Sequence, residues 1–242
     1  MNSVIIYTYF SSHSSDYNLN FFVKKELSYK DNIDYIIVIN GYEYNKNIQF
    51  PNLPNLTILK RENIGYDFGG HNYALEYIER NSKKSNVMFD IGANIGAYSL
   101  VAAKNGLSVF AFEPAYQNFY QLNRNITLNN VDSMISTFPI AFSTKTKIEK
   151  FNYIDATTGS SKCYYNEGNK YHLDEKVIIQ KSTMIYALDD FIEKFGIPIP
   201  DMLKIDVDGA EFEILKGANK ILEEENLKFI IIEIDDDLNS IE

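Results

Sequence analysis

The sequence predicts an α/β fold built on a largely parallel sheet. Short apolar runs, typical of buried strands, alternate along the chain with the spacing typical of amphipathic helices. Two of these runs end in an acidic residue followed by a glycine turn, at Asp90 and at Asp206. Because the carboxyl ends of parallel strands share one edge of a sheet, we expect both turns to lie at a common ligand site.

The composition is that of a globular protein, and its charge argues against a nucleic-acid-binding surface. The 242 residues are 45% hydrophobic and carry a formal net charge of −10, whereas a nucleic-acid surface needs a basic stripe. No apolar run approaches the roughly 20 residues that span a bilayer, and no signal peptide precedes the first strand. The single cysteine, Cys163, suits a reducing compartment. We therefore expect a cytoplasmic protein without a membrane span.

The most informative stretch is VMFDIGANIGAYS, residues 87–99. Its apolar start predicts a buried strand that ends in Asp90 and passes through Gly92 and Gly96 into a helix. A strand, a glycine turn and a helix N-terminus together direct backbone N–H groups at a ligand. The next predicted strand ends in Glu113, a position from which a carboxylate accepts hydrogen bonds from the hydroxyls of a ribose.

Two nucleoside cofactors fit this pattern. The dinucleotide fingerprint G-x-G-x-x-G needs glycines where this sequence has Asn94 and Ala97. The pattern D-x-G-x-N-x-G instead favours S-adenosyl-L-methionine, which has no pyrophosphate and whose amino-acid end can use backbone groups near Asp90 and Asn94. An ordinary strand-to-helix turn without a ligand is the alternative.

Residues 1–84 form the first of two predicted units. The apolar runs predict strands at Val4–Phe10, Tyr35–Ile39 and Leu56–Leu59, with a helix at Tyr17–Leu27. A polar, glycine-rich loop, ENIGYDFGGH at residues 62–71, then leads into a further helix.

That loop, with its N-x-G-Y-D-F-G pattern, resembles the loop of GT-A glycosyltransferases of the rhamnan-synthesis type. The resemblance implies an α/β half-domain in which the loop lies near a nucleotide-sugar site. The D-x-D metal motif of those enzymes does not follow in this sequence, so we predict neither glycosyl transfer nor a metal site. Binding of a nucleotide sugar stays open, as does a structural role in which Asp67 and His71 cap the following helix.

Residues 85–242 form the second predicted unit. After Glu113 the pattern predicts a helix from Tyr116 to Leu128 and then a strand over residues 137–142. The end of that strand, at Ala141 and Phe142, is expected beside the adenine of the cofactor. Paired β segments are predicted at 147–153 and 176–181, around a polar insertion at 157–171 that could cover the site.

The stretch MLKIDVDGAE, residues 202–211, predicts another buried strand that ends in acids. Asp206 should lie beside the crevice, with Asp208 and Glu211 in the turn before a helix that continues to Leu222. Clustered carboxylates of this kind can act as a general base or hold a divalent cation. Alternatively, Asp208 and Glu211 only stabilise the helix N-terminus through its dipole. A final apolar strand is predicted over residues 228–234.

The run DIGANIGAYS, followed in order by FAFEP, IAFS, TTGSS, LKIDVDGAEFEILKGA and IIIEI, resembles the FkbM-type methyltransferase family over about residues 86–235. The resemblance implies a Rossmann-like class I sheet, S-adenosyl-L-methionine as the cofactor, and O-methylation of a sugar or glycan hydroxyl. In this reading Asp206, with Asp208 or Glu211, accepts the proton of the hydroxyl. The cofactor contacts that we expect are Asp90, Gly92, Ala93, Asn94, Gly96, Ser99, Glu113, Pro114, Ala141, Phe142 and Asp206.

Members of that family usually continue past the I-I-I-E-I strand with a helix and a terminal pair of antiparallel strands, which do not follow here. We therefore expect a C-terminally shortened sheet. Its last edge should be exposed, paired with a second copy of the chain in a homo-oligomer, or covered by residues 1–84. A catalytically silent binding or assembly module is the rival interpretation.

Overall fold

A computed structural model of the chain describes residues 2–9, 33–40, 57–60, 78–79, 81–82, 85–160, 162–165 and 175–235. The strands are Asn2–Tyr9 (β1), Ile33–Asn40 (β2), Thr57–Lys60 (β3), Val87–Ile91 (β4), Ser108–Phe112 (β5), Ile135–Phe138 (β6), Ala141–Phe142 (β7), Lys147–Tyr153 (β8), Cys163–Tyr165 (β9), Ile179–Tyr186 (β10), Met202–Ile205 (β11) and Phe229–Asp235 (β12). The helices are Ala97–Lys104 (α1), Tyr116–Asn129 (α2), Leu188–Phe195 (α3), Glu211–Lys216 (α4) and Asn219–Glu223 (α5).

The main sheet has eight strands in the order β3-β2-β1-β12-β11-β4-β5-β6. All of its neighbouring strands are parallel, which confirms the predicted α/β fold with a parallel sheet. The chain proceeds outward from β4 through β5 to β6, and then returns to the other side of β4 with β11. The strand order therefore reverses between β4 and β11, and such a switch point is where α/β sheets bind their ligands.

The edge of β12 is covered by the first strand of the chain. Strand β1 pairs with β12 in parallel, with Val4 opposite Ile230 and Ile6 opposite Ile232. Of the three expectations for this edge, the structure has the one in which residues 1–84 supply the neighbouring strand. The three strands predicted there are present within a residue or two of their expected bounds, whereas the helix at 17–27 and the loop at 62–71 lie outside the described residues.

A second sheet of four strands, in the order β7-β10-β8-β9, contains the predicted β pair. Strands β8 and β10 are antiparallel, with Tyr153 opposite Ile179. The prediction of one strand over residues 137–142 is wrong, because β6 ends at Phe138 and β7 belongs to the second sheet. Pro139 separates them, since proline has no backbone N–H with which to continue a ladder.

The prediction of one helix over residues 212–222 is also wrong, because α4 and α5 are separate. Between them, a β-carbon placed on Gly217 would lie 2.1 Å from the carbonyl oxygen of Ser143, so the backbones approach too closely for any other residue. Asp189 on α3 then accepts hydrogen bonds from the backbone N–H groups of Lys220 and Ile221, at 2.9 and 3.1 Å. Those bonds satisfy donors at the start of a new helix, which the apolar spacing alone does not reveal.

The core lies on both faces of the main sheet. Successive residues of a strand point to opposite faces, so Met88 packs with α1 and α2 while Phe89 packs with α3 and α4. This double burial explains why the central strands are continuous apolar runs. Within the described part of the chain, no helix is long and apolar enough to cross a membrane.

Candidate functional site

A cavity of about 710 Å³ lies at the carboxyl ends of β4, β5 and β11. Its lining includes residues 91–95 after β4, residues 113–115 after β5 and residues 206–210 after β11. The volume is within the range of pockets that hold small molecules and cofactors. The structure therefore brings the turn after Asp90 and the carboxylate of Glu113 to the same cavity, at the switch point of the sheet.

Gly92 makes the first turn of this cavity. Its φ of +78° is a left-handed conformation, and a β-carbon there would lie 1.8 Å from the carbonyl oxygen of Asp206. The backbone N–H groups of Gly92 and Ala93 both donate to the carbonyl oxygen of Phe112, at 3.0 Å. The glycine thus allows the chain after β4 to contact the ends of both neighbouring strands.

Glu113 is a buried acid held by backbone donors. One carboxylate oxygen accepts from the N–H of Asn94 and the other from the N–H of Ala115, both at 2.8 Å. Burial raises the pKa of Glu113 to about 7, although these two hydrogen bonds act in the opposite direction. Each oxygen has a further lone pair, so the carboxylate can still accept hydrogen bonds from a ligand.

Two asparagine side chains that line the cavity form hydrogen bonds with a loop of the predicted insertion. Asn94 donates from Nδ2 to the carbonyl oxygen of Gly159 at 3.2 Å. Asn118, on α2, accepts from the N–H of Gly159 at 2.8 Å and donates to the carbonyl oxygen of Ser160 at 2.9 Å. The described residues of the insertion, 157–160 and 162–165, include lining residues, as expected; residues 161 and 166–171 lie outside the description.

Asn94 also has an acceptor for which no described residue is a partner. Its Oδ1 is buried, and no hydrogen bond reaches it from the described residues. A buried polar atom that lacks a partner is costly, and it is usually satisfied by water or a ligand. Asn94 lines the cavity beside Glu113, so both residues are candidates to accept hydrogen bonds from a ligand that carries hydroxyl or amino groups.

Lys204 is a site residue that was not predicted from the sequence; it lines the cavity although it is only 2% exposed. Its ammonium lies 3.2 Å from both Asp90 and Asp206 and donates to the carbonyl oxygen of Gly92 at 2.9 Å. The signal was present in the sequence: a lysine inside the apolar run MLKI is rarely buried unless it is paired. Asn118 carried no comparable signal, because its partners come from a distant loop.

Asp90 and Ser99 are not among the residues that line the cavity. Both are fully buried, and the Ser99 hydroxyl donates to Asp90 at 2.6 Å. Gly96 is also outside the lining; its φ is +96°, and a β-carbon placed on it would lie 2.5 Å from the Leu122 side chain. Direct contact of these three residues with a cofactor stays a prediction.

The three acids predicted for catalysis are placed differently. Asp206 and Asp208 line the cavity, whereas Glu211 does not. The Glu211 carboxylate accepts from the N–H groups of Val207 and Gly209, at 3.1 and 3.0 Å, and burial raises its pKa to about 7. Glu211 therefore stabilises the turn that contains the other two acids. This contact is similar to the alternative given above, in which Glu211 has only a structural role at the helix N-terminus.

The remaining predicted contacts, Ala93, Pro114, Ala141 and Phe142, all line the cavity. Phe142 lies beside Phe112, with the two ring centroids 4.8 Å apart, and such an apolar lining suits a planar base. Among the described residues, no three His, Cys, Asp or Glu side chains are grouped so that they could hold a metal ion.

The fold and the cavity define a Rossmann-like α/β protein with a ligand site at its switch point. Residues 90–241 match the methyltransferase FkbM domain. Because this match spans more than half of the sequence, the chain belongs to the FkbM family of methyltransferases. The predicted FkbM resemblance is therefore confirmed.

Two relatives illustrate the family. The hexuronic acid methyltransferase AglP of Haloferax volcanii is 25% identical over 170 residues, which cover 69% of this chain and 64% of AglP. The 31-O-demethyl-FK506 methyltransferase FkbM of Streptomyces tacrolimicus is 28% identical over 158 residues, which cover 56% of this chain and 60% of that protein. The chain thus matches less than two thirds of the length of either relative.

Among solved structures, a precorrin-6y C5,15-methyltransferase from Geobacter metallireducens aligns with a TM-score of 0.36 and 15% identity. The alignment covers 63% of this chain and 58% of that protein. This likeness is too distant to bear on function.

Replacing Gly92 with alanine should destabilise the protein far more than the same change at Gly106. Both glycines have a left-handed φ, but only at Gly92 would the new β-carbon meet another backbone. We expect Gly106→Ala to lower the unfolding free energy by about 1 kcal/mol and Gly92→Ala by about 3 kcal/mol or more. Urea unfolding measures both, and equal losses would show that the turn after β4 does not need the close approach.

Proposed function

We propose that this protein is an S-adenosylmethionine-dependent O-methyltransferase that acts on a hydroxyl group of a sugar or glycan. The observation that carries the proposal is the cavity at the switch point, which joins the turn after Asp90 to the carboxylate of Glu113 within an FkbM domain. The sugar acceptor is supported by the relative named as a hexuronic acid methyltransferase.

The residues at the cavity fit such a cofactor. Glu113 supplies acceptors for ribose hydroxyls, and the apolar side at Ala141 and Phe142 suits the adenine. The side chain of Asn94 and the carbonyl oxygen of Gly92 suit the amino-acid end, which carries an ammonium group. When bound, S-adenosylmethionine supplies an electrophilic methyl group on a sulfonium sulfur.

The contribution of the chain is to orient the acceptor and to take up its proton. We assign the proton to Asp208, which is exposed on the cavity. Asp206 is already paired with the Lys204 ammonium, at 3.2 Å. Glu211 acts through the turn, since its hydrogen bonds to the N–H groups on either side of Asp208 hold that residue in place.

Other expectations from the sequence stay predictions. They concern the division into units at residues 84 and 85, the GT-A-like character of the first unit, a cytoplasmic location and a homo-oligomer. None of them enters the assignment of the site.

A ligand panel tests the proposed function. S-adenosylhomocysteine should raise the melting temperature of the protein, whereas NAD and a UDP-sugar should leave it unchanged. Transfer of labelled methyl from S-adenosylmethionine to a glycan hydroxyl should then be detectable by mass spectrometry. A shift with the UDP-sugar alone would favour a nucleotide-sugar protein, and no shift with any ligand would favour a silent binding module.

Binding of S-adenosylhomocysteine should weaken as the pH falls, because only ionised Glu113 accepts both ribose hydroxyls. With its pKa at about 7, a fall from pH 8 to pH 6 should weaken the affinity about tenfold. In Glu113→Gln the affinity should be lower and nearly independent of pH, as measured by titration calorimetry.

Glu211→Gln is the matched control, because Glu211 titrates in the same range but does not line the cavity. This variant should keep the pH dependence of the wild-type protein. Loss of the dependence in Glu211→Gln, or its persistence in Glu113→Gln, would contradict the placement of the ribose.

A further inference from the structure

Lys204 is a buried cation that the mechanism above does not use. It lies in the middle of β11, directly opposite Asp90 of β4 in the sheet register. The two strands that flank the switch point are therefore joined there by a charged pair as well as by their backbone hydrogen bonds. This pair lies at the back of the cavity, since Lys204 lines it and Asp90 does not.

The Lys204 ammonium contacts four groups at once. It pairs with the carboxylates of Asp90 and Asp206 and donates to the carbonyl oxygen of Gly92, and it lies 4.7 Å from the centre of the Tyr98 ring. Burial alone would lower the pKa of Lys204, but Asp206 and Asp90 raise it above its ordinary value. The side chain therefore stays charged, and it is held from several directions.

Three of these partners, Asp206, Gly92 and Tyr98, themselves line the cavity. The ammonium thus fixes both a carboxylate and a carbonyl oxygen at the point where β4 and β11 end. Because carboxylate and carbonyl oxygens have more than one lone pair, both can accept from a second ammonium group.

We propose that Lys204 is a positioning residue that holds Asp206 and the Gly92 carbonyl oxygen as acceptors for the ammonium group at the amino-acid end of the cofactor. This inference rests on the proposed function, because it assumes that the cavity binds S-adenosylmethionine. It assigns the two ends of the ligand to different residues. Glu113 serves the ribose, and Lys204 serves the amino-acid end without contacting the methyl group that is transferred.

Two ligands separate this role from a merely structural one. S-adenosylhomocysteine has the amino-acid end, whereas 5′-methylthioadenosine keeps the nucleoside and lacks that end. In Lys204→Met the affinity for S-adenosylhomocysteine should fall by about tenfold or more, the usual loss for a charge-assisted hydrogen bond. The affinity for 5′-methylthioadenosine should change by less than about twofold, because the nucleoside contacts are intact.

Lys228→Met is the matched control. Lys228 also pairs with a buried aspartate, Asp201 at 2.7 Å, but it is not among the residues that line the cavity. This variant should bind both ligands as the wild-type protein does. Titration calorimetry at pH 8, where Glu113 is mostly ionised, gives the affinities, and thermal unfolding reports whether each variant is folded.

Lys204→Met leaves two carboxylates without their cation, which can prevent folding. The double variant Lys204→Met with Asp90→Asn removes the deeper charge together with the ammonium and should show the same ligand selectivity. Equal weakening of both ligands in the folded variants, or no weakening of S-adenosylhomocysteine, would overturn the role of Lys204. Failure of the wild-type protein to bind either ligand would overturn the proposed function, and this inference with it.

Discussion

The contact between the ends of β4 and β11 is the constraint on which the rest of the site depends. Gly92 approaches the Asp206 carbonyl more closely than any residue with a side chain could, and the Lys204 ammonium joins the same two strand ends. A site built on strand ends can be held rigidly, because each end is fixed by the ladder of the sheet. The cavity is the space left beside this contact, on the side toward Glu113.

The acids at the site are held in place chiefly by main-chain groups. Glu113 and Glu211 each accept two or more backbone N–H bonds, and in both of them burial raises the pKa to about 7. Asp206 is held by Lys204 instead, so its charge is stabilised by a cation. The carboxylates in and next to the cavity thus have different environments, and such differences give groups of the same chemistry separate tasks.

What the sequence predicted well depends on local pattern. Apolar runs with polar ends located β4, β5 and β11, and the position of Glu113 at the end of β5 follows from the same spacing. The two wrong element predictions involve tertiary contacts. Helix α5 begins where Asp189 of α3 caps it, and the strand predicted around Pro139 is divided between two sheets. Local sequence pattern also does not reveal which strands pair. Neither the partners of Lys204 nor the pairing of β1 with β12 could therefore be predicted from the sequence alone.

A crystal structure of the complex with S-adenosylhomocysteine tests the central claim most directly. The account predicts that the ribose hydroxyls lie within hydrogen-bond distance of the Glu113 carboxylate and that the amino group lies at Gly92 and Asp206. A ligand bound elsewhere on the sheet, or one whose ribose faces away from Glu113, would contradict the assignment of this cavity as the methyl-donor site.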